Sequence, residues 1–383
     1  MKLLKSYKTE IDPSLNQIIK INQTIGTCRF VYNLFLAKNK ELYEKEKRYM
    51  NNYEFSKWLN NEFVPNNFDY AWIKEVSSKS VRNSIDNANT AFMNFFRKKS
   101  LFPKYKKKNK NDSSMYFVKT DKNTIIKCER HRIKIPTLGW IKLKEKGYLP
   151  TNKIIRHGNI TKKAGKYYIS VVIEISENYK FDKFTEGIGI DLGVKDLAIC
   201  SDKTIYKNIN KTKIVRKLEK KLKREQRNFS KKILNKKKGE STSNINKQKL
   251  RIQKIYQRLD NIRTDYINKV ISKIVKAKPS YITIEDLNIS GMMKNKHLSK
   301  AIAQQKLYEF RTKLANKCKL HGIELRMVDR FYASSKICSN CGCIKKDLLL
   351  KDRIYKCKEC GLTIDRDYNA SLNLKEAKNY RIK

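Results

Sequence analysis

No run of eighteen or more apolar residues occurs in the chain, which excludes a transmembrane helix. The opening segment, MKLLKSYKTEIDPSL, lacks the continuous apolar core of a secretory signal. Both absences predict an intracellular protein. No internal repeat is visible, which argues against a stacked-repeat architecture. Acidic side chains are scarce: Asp plus Glu number 37 against 87 Lys plus Arg, a formal net charge of +50. Self-repulsion at that charge destabilises a compact chain unless a polyanion offsets it. Nucleic acid is the obvious polyanion, because each neutralised phosphate releases counterions and adds affinity. A basic ribosomal-type or membrane-surface protein is the bland alternative, but here the charge spreads over the whole length.

The 383 residues suffice for two or three domains, at roughly 100–200 residues each. Residues 1 to about 10 read as a strand and 13–49 as helix. A second helix carries Val81, Ile85, Ala88, Phe92, Phe95 and Phe96 on one face. Pro65-Asn66-Asn67 predicts a loop between the two. KYKKKNKND (104–112) is a basic run without apolar period. From about 115 to 180 the pattern turns to strands, as in RIKIP, WIKLKEKG and YYISVVIEI. GIGIDLGVKDLAIC (187–200) predicts strand, turn and strand. Residues 212–276 predict two long basic helices, a coiled hairpin. YITIEDL (281–287) and IELRMVD (323–329) read as strands, and Leu298 to about Leu320 as one helix between them. DRDYNASLNLKEA (365–377) closes the chain as a helix. Strands and helices alternate after residue 187, which indicates an α/β domain.

Nine cysteines are present. In a reducing compartment, matched pairs of them point to metal before disulfide. Cys338 and Cys341, then Cys357 and Cys360, give the C-x2-C spacing twice within the window for zinc. Four thiolates close a tetrahedral shell and leave no position for a reacting water, so one structural zinc is expected. Gly342 and Gly361 follow the second cysteine of each pair and permit a tight turn. Cys343 is a surplus thiol beside them. Cys28, Cys128, Cys200 and Cys318 are isolated in sequence and read as core or surface thiols.

Three carboxylates form the second constellation. In GIGIDLG, Gly189, Asp191 and Gly193 share one strand face, which leaves room for a metal ion and a phosphate backbone. Glu285 ends an apolar strand, and Asp367 sits in a helix's first turn, where negative charge suits the dipole. Hard oxygen donors suit Mg²⁺ or Mn²⁺. None of the three is diagnostic alone, since an isolated carboxylate is usually solvated. Two of them, however, interrupt apolar strands, where an unpartnered charge costs stability. Asp196, Asp286 and Asp365 read as surface, capping or supporting groups.

The order GIDLGVKDLAI, IEDLNISGM, LSKAIA, SSKICSNCG, CKECG and DRDYNASLNL resembles the TnpB (OrfB) family of transposon-encoded, RNA-guided DNA endonucleases related to type V CRISPR effectors. GTCRFVYN (26–33) and TAFMNFF (90–96) extend the likeness toward the N-terminus. The resemblance implies a multidomain α+β fold: a helical recognition lobe (11–114) inserted in a wedge-like β-barrel (1–10 and 115–180). A RuvC-like nuclease domain with an RNase H fold (181–337 and 361–383) follows, split by a zinc ribbon (338–360).

By the same resemblance Asp191, Glu285 and Asp367 hold two catalytic Mg²⁺ or Mn²⁺ ions. Water attack on phosphorus would leave 5′-phosphate and 3′-hydroxyl ends. The partners implied are a guide RNA from the transposon end and double-stranded target DNA, in the cytoplasm of a prokaryotic host. Neither a membrane nor a small-molecule substrate is expected. The target would lie beside a short motif read by the protein, with Tyr53, Ser56, Lys79 and Asn83 as candidate readers; the alternative for each is plain solvated surface. One departure is that Gln305-Lys306-Leu307 stands where the family often has a bulky aromatic. The competing functions are a guided or unguided DNA-binding regulator without cleavage, a transposition accessory protein, and a strand-joining transposase with the same acid trio.

Overall fold

The computed structural model describes residues 3–108, 114–119, 126–175, 181, 183–237, 239–349 and 351–383. It divides into two units, residues 1–176 and 177–383. The end of the 104–112 basic run lies outside the described residues.

The first unit opens with strand β1 (Leu3–Asp12) and helix α1 (Leu15–Glu46). Ser14 caps α1: it accepts from the Gln17 backbone, and the Gln17 side chain answers the Ser14 N–H. Helices α2 (Asn52–Trp58), α3 (Val64–Asn66) and α4 (Ser78–Phe96) follow. Phe35, Phe55, Leu59, Ile85 and Phe92 interlock in their core. Pro65 does not open a loop. It sits in the first turn of α3, where its missing N–H is not needed, and the chain departs from helix only at Asn67.

Six more strands complete this unit: β2 (Ser114–Val118), β3 (Lys127–Cys128), β4 (Arg132–Ile135), β5 (Gly139–Leu143), β6 (Ile155–Lys163) and β7 (Lys166–Ile175). They join β1 in one seven-stranded sheet, ordered β2-β6-β7-β1-β5-β4-β3, with every pairing antiparallel. Alternation along β7 puts Tyr167, Ile169, Val171 and Ile173 into its core.

The second unit is built on β8 (Ile188–Leu192), β9 (Asp196–Cys200) and β10 (Ile205–Lys207). Helices α5 (Lys213–Leu234) and α6 (Ser243–Lys276) form the basic hairpin, closed by Val215, Leu222, Ile255 and Leu259. Then come β11 (Tyr281–Glu285), α7 (Ile289–Met292), α8 (Ser299–Gln305), α9 (Leu307–His321) and β12 (Glu324–Val328). The chain ends with β13 (Ile354–Lys356), β14 (Thr363–Asp365), α10 (Arg366–Lys375) and β15 (Arg381–Ile382).

The six-stranded sheet runs β10-β9-β8-β11-β12-β15. β11 is parallel to both β8 and β12, and the outer pairings are antiparallel. Ile188, Ile190, Ile282 and Ile284 face a core completed by Ile267, Val270 and Ile274 of α6 and Phe310 and Leu314 of α9. Burying each such side chain contributes about 1.5–3 kcal/mol.

The helix expected over Leu298–Leu320 is broken. Lys306 takes a left-handed backbone (φ 55°) between α8 and α9. Its ammonium is held by Asp260 at 2.8 Å, by Glu309 at 2.5 Å and by the Thr264 hydroxyl at 2.7 Å. Those tertiary partners offset a cost that few non-glycine residues bear. No helix among the described residues is long and apolar enough to cross a membrane.

Candidate active site and metal centre

The register of β8 with β11 sets Thr283 opposite Gly189 and Ile284 opposite Ile190. One residue further, Glu285 ends β11 and Asp191 lies one residue short of the end of β8, on neighbouring central strands. By the period of two, Asp191 shares a face with Gly189, away from the isoleucines.

Helix α10 covers that face. A Cβ on Gly189 would lie 2.0 Å from the Ser371 carbonyl oxygen and 2.4 Å from the Lys375 nitrogen. The space beside Gly189 is therefore filled by helix backbone, not left open for a metal ion as the sequence suggested. From that contact, two residues along β8 advance about 6.6 Å to Asp191. Four residues back along α10 cover about 6 Å to Asp367. The two carboxyls thereby come to the same end of the sheet.

Their electrostatics agree. Burial pushes the Asp191 carboxyl up to about 8; Glu285 and then Asp367 push it the same way, against the Arg366 guanidinium. Burial also raises Glu285, against the hydroxyl of Ser334, which donates to Glu285 Oε1. Arg366 Nε lies 3.4 Å from Asp367 Oδ1. Asp365 accepts from the Asp367 and Tyr368 backbones at 2.9 and 3.0 Å and caps α10. Asp286 pairs with Arg311 at 2.7 Å and with Arg381. Asp196 lies 3.6 Å from Lys207.

The cysteines converge. The Sγ atoms of Cys338, Cys341, Cys357 and Cys360 all lie within 4.8 Å of one another. Cys338–Cys360 and Cys341–Cys357 are each 3.6 Å apart, against ~3.8 Å for two corners of a zinc tetrahedron with Zn–S of ~2.3 Å. Gly342 and Gly361 take φ of 78° and 73°, and both lack an obstructing neighbour. Hydrogen bonds from Asn340 and the Leu362 backbone hold the Cys360 thiol below its ordinary range. The cluster can hold a zinc ion. Cys343 stands outside it and is exposed. Cys28, Cys200 and Cys318 are buried, and Cys128 is partly so. Among the described residues, these four cysteines are the one group of three or more such side chains placed to hold a metal ion.

Sequence reasoning missed the residues that tie these features together. Asn369 Nδ2 donates to the Ile337 carbonyl at 2.7 Å, and Asn369 Oδ1 accepts from Ser339 N at 3.0 Å. Asn373 Nδ2 donates to the Ser334 and Ile337 carbonyls, both at 2.7 Å. One helix thus carries Asp367 and grips the strand of chain entering Cys338. Buried Gln305 donates to the Gly193 and Val194 carbonyls at 3.0 and 3.4 Å, bracing the turn after Asp191. Their local signal was slight: nothing in the spacing of Asn369 and Asn373 along the chain sets them apart from other polar helix residues.

In the first unit, Tyr53 and Ser56 lie on α2, and Lys79 and Asn83 on α4. Asn52 at the start of α2 donates to Asp86 of α4 at 2.7 Å, so the two helices dock near Asn83. Tyr53 and Lys79 are exposed, Ser56 and Asn83 partly buried. Asn83 also lines a small polar pocket with Arg29, Ser80, Asn87 and Lys106.

Three family models match this chain. OrfB_IS605, described as "Probable transposase", matches residues 170–296. A Cas12f1-like TNB domain matches 308–374, and an OrfB helix-turn-helix domain matches 1–48. In this structure, residues 3–46 of the last form one strand and one long helix. A curated protein of Escherichia coli (strain K12), provisionally named RNA-guided DNA endonuclease InsQ, is 30% identical over 391 residues. The match covers 98% of this chain and 92% of that protein.

The chain belongs to the TnpB (OrfB) family. A second relative, from Streptomyces pristinaespiralis and provisionally named RNA-guided DNA endonuclease, is 27% identical, covering 97% of this chain and 88% of that one. Among solved structures, the Cas12f1 chain of a Cas12f1–sgRNA–target DNA complex superposes with a TM-score of 0.64 at 14% identity. It covers 99% of this chain and 100% of that chain. The fold is thus that of the Cas12f-like type V effectors, mixed α and β, with a TNB segment and a four-cysteine cluster.

Proposed function

We propose that this TnpB-family chain is an RNA-guided, divalent-metal-dependent endonuclease that cleaves double-stranded DNA beside a short motif, in the service of a transposon. The observation that carries the reading is the meeting of Asp191, Glu285 and Asp367 at one end of the six-stranded sheet. A buried carboxyl pushed up by two neighbouring carboxyls is a site that gains from a cation. Three hard carboxylate donors at a phosphodiester suit two ions about 4 Å apart that share one ligand. Bound Mg²⁺ or Mn²⁺ would supply activation of water and neutralisation of charge at phosphorus.

The chain's own groups do the rest. Asp191 and Glu285 present donors from rigid strands, and Asp367 from a capped helix. Ser334 fixes the Glu285 carboxylate, and Arg366 turns Asp367. The basic hairpin of α5 and α6 offers phosphate contacts to RNA. Guide pairing would supply sequence choice, while the protein reads backbone shape and the adjacent motif. In this reading the six-stranded sheet is a RuvC-like RNase H domain (181–337 and 361–383), split by the zinc ribbon (338–360). The first unit is a wedge-like barrel (1–10 and 115–180) holding the recognition helices (11–114), with Tyr53, Ser56, Lys79 and Asn83 as motif readers. Zinc would be structural, since its shell is closed by four thiolates.

The test is cleavage by the purified guide complex. Wild type should cut matching DNA in Mg²⁺, and Asp191→Ala should not. Undiminished cutting by Asp191→Ala would overturn the site, and binding without any nick in Mg²⁺ or Mn²⁺ would favour a regulator.

A further inference from the structure

β12 ends beside β11, with Val328 paired to Glu285. The loop that follows, 329–334, is pinned along its length. Phe331 N donates to Asp329 Oδ1 at 2.9 Å, Tyr332 N to the Asp329 carbonyl at 3.0 Å, and Ser334 N to the Tyr332 carbonyl at 2.9 Å. The Tyr332 hydroxyl donates to the Asn373 carbonyl at 3.1 Å, and the Ser334 hydroxyl to Glu285. Between these anchors Phe331 is 87% exposed. Arg330 before it and Lys336 after it are exposed and basic.

An exposed aromatic is common and by itself needs no explanation. Phe331 differs in its setting. The backbone on both sides of it is held in place, and the ring it carries stands in solvent. Phe331 also stands three residues from Ser334, a separation of at most ~11 Å, and Ser334 touches Glu285.

We propose that Phe331 is a stacking platform for an unpaired nucleobase of the DNA strand held at the carboxylate centre, with Arg330 beside the strand's phosphates. The inference rests on the nuclease reading above. Every base has a π-face, so such a platform holds a strand without choosing its sequence. That suits an enzyme whose sequence choice lies in guide pairing. A stacked base fixes the strand's register, and the register sets which phosphate meets Glu285 and its neighbours.

The experiment compares Phe331→Ala, Phe331→Leu and Phe331→Trp in the guide complex. In Mg²⁺, single-turnover cleavage should fall about ten-fold in the Ala and Leu variants, near the low end for losing one stacked base, and stay within about two-fold of wild type in the Trp variant. Zinc content should be unchanged in all three. In Ca²⁺, a target strand carrying 2-aminopurine beside the cleavage position should be quenched by wild type and Phe331→Trp but not by Phe331→Ala. Equal quenching in wild type and Phe331→Ala, or wild-type cleavage by Phe331→Leu, would overturn the platform. Wild type that never cuts sinks the nuclease reading instead, and an Asp191→Ala complex that cuts fully sinks the carboxylate site; the quenching comparison still decides the stacking.

Discussion

The side-chain amide of Asn373 donates to the Ile337 carbonyl at 2.7 Å, one residue before the first cysteine of the zinc cluster. It also reaches the Ser334 carbonyl, and Ser334 in turn donates to Glu285. The cysteine cluster and two of the carboxylates therefore hang on one buried helix. Asn373→Ala would strand two carbonyls at a cost of about 1–3 kcal/mol. A melting temperature lower by several degrees is expected, along with slower cleavage, while bound zinc persists. Cys357→Ser should lose zinc and cleavage together, because the segment gripped by Asn369 and Asn373 loses its fold. Normal zinc content and normal cutting by Cys357→Ser would show the cluster to be dispensable.

Gly189 makes a second, sharper test of how α10 is seated. Its missing Cβ is what lets Ser371 and Lys375 backbone atoms approach the sheet, and backbone cannot step aside as a side-chain tip can. Gly189→Ala should force the helix outward at about 1–3 kcal/mol and carry Asp367 away from Asp191. Cleavage should drop at least about a hundred-fold, since a displacement near 1 Å at the reacting centre has that order of effect. Gly193→Ala meets only the Asp196 carbonyl, at 3.2 Å, and should be much milder. Equal rates for wild type and Gly189→Ala would show that the helix has another way to sit.

These two residues also mark how far the sequence could be read. The cysteine spacing was legible because tetrahedral sulfur chemistry is local and leaves a fixed interval in the chain. Asp191 and Glu285 stood out as charges inside apolar strands, whereas Asp367, in a helix's first turn, stood out only through the family resemblance. The purpose of Gly189 was not, because the atoms that fill its space belong to a helix some 180 residues further on, between Ser371 and Lys375. The break at Lys306 escaped for the same reason: apolar periodicity runs through it from Ile302 to Phe310, and only Asp260, Thr264 and Glu309 hold the left-handed turn. Ser334 looked like one polar residue among several until the fold brought Glu285 to it.

The basic hairpin offers a test of the partner rather than of the chemistry. Lys220, Lys223 and Arg227 of α5 are exposed, on a helix whose buried residues are Val215 and Leu222. Changing all three to Glu should leave the fold intact and weaken guide RNA binding. The slope of log affinity against log salt should flatten by about 2, at ~0.7 for each lost single-strand phosphate contact. An unchanged slope would mean that these charges face only solvent.

The protonation of Asp191 gives the last prediction. Its carboxyl is pushed up to about 8 by burial, Glu285 and Asp367, whereas an unfolded Asp titrates near ~3.9. A carboxyl raised in the fold favours the folded state below the unfolded value, and that advantage is lost as pH rises toward the folded one. Without added Mg²⁺, wild type should therefore lose stability between about pH 4 and pH 8 relative to Asp191→Asn. The gap in melting temperature should widen through this range and level off above pH 8. A divalent ion must displace the same proton. Manganese binding near pH 7 should then release close to one proton, seen by titration calorimetry in buffers of different ionisation enthalpy. Apparent affinity should rise steeply from pH 6 to 8, and Asp191→Asn should abolish both effects. Binding that releases no proton at pH 7 would mean that Asp191 is already ionised, and that the carboxylates interact more weakly than their burial implies.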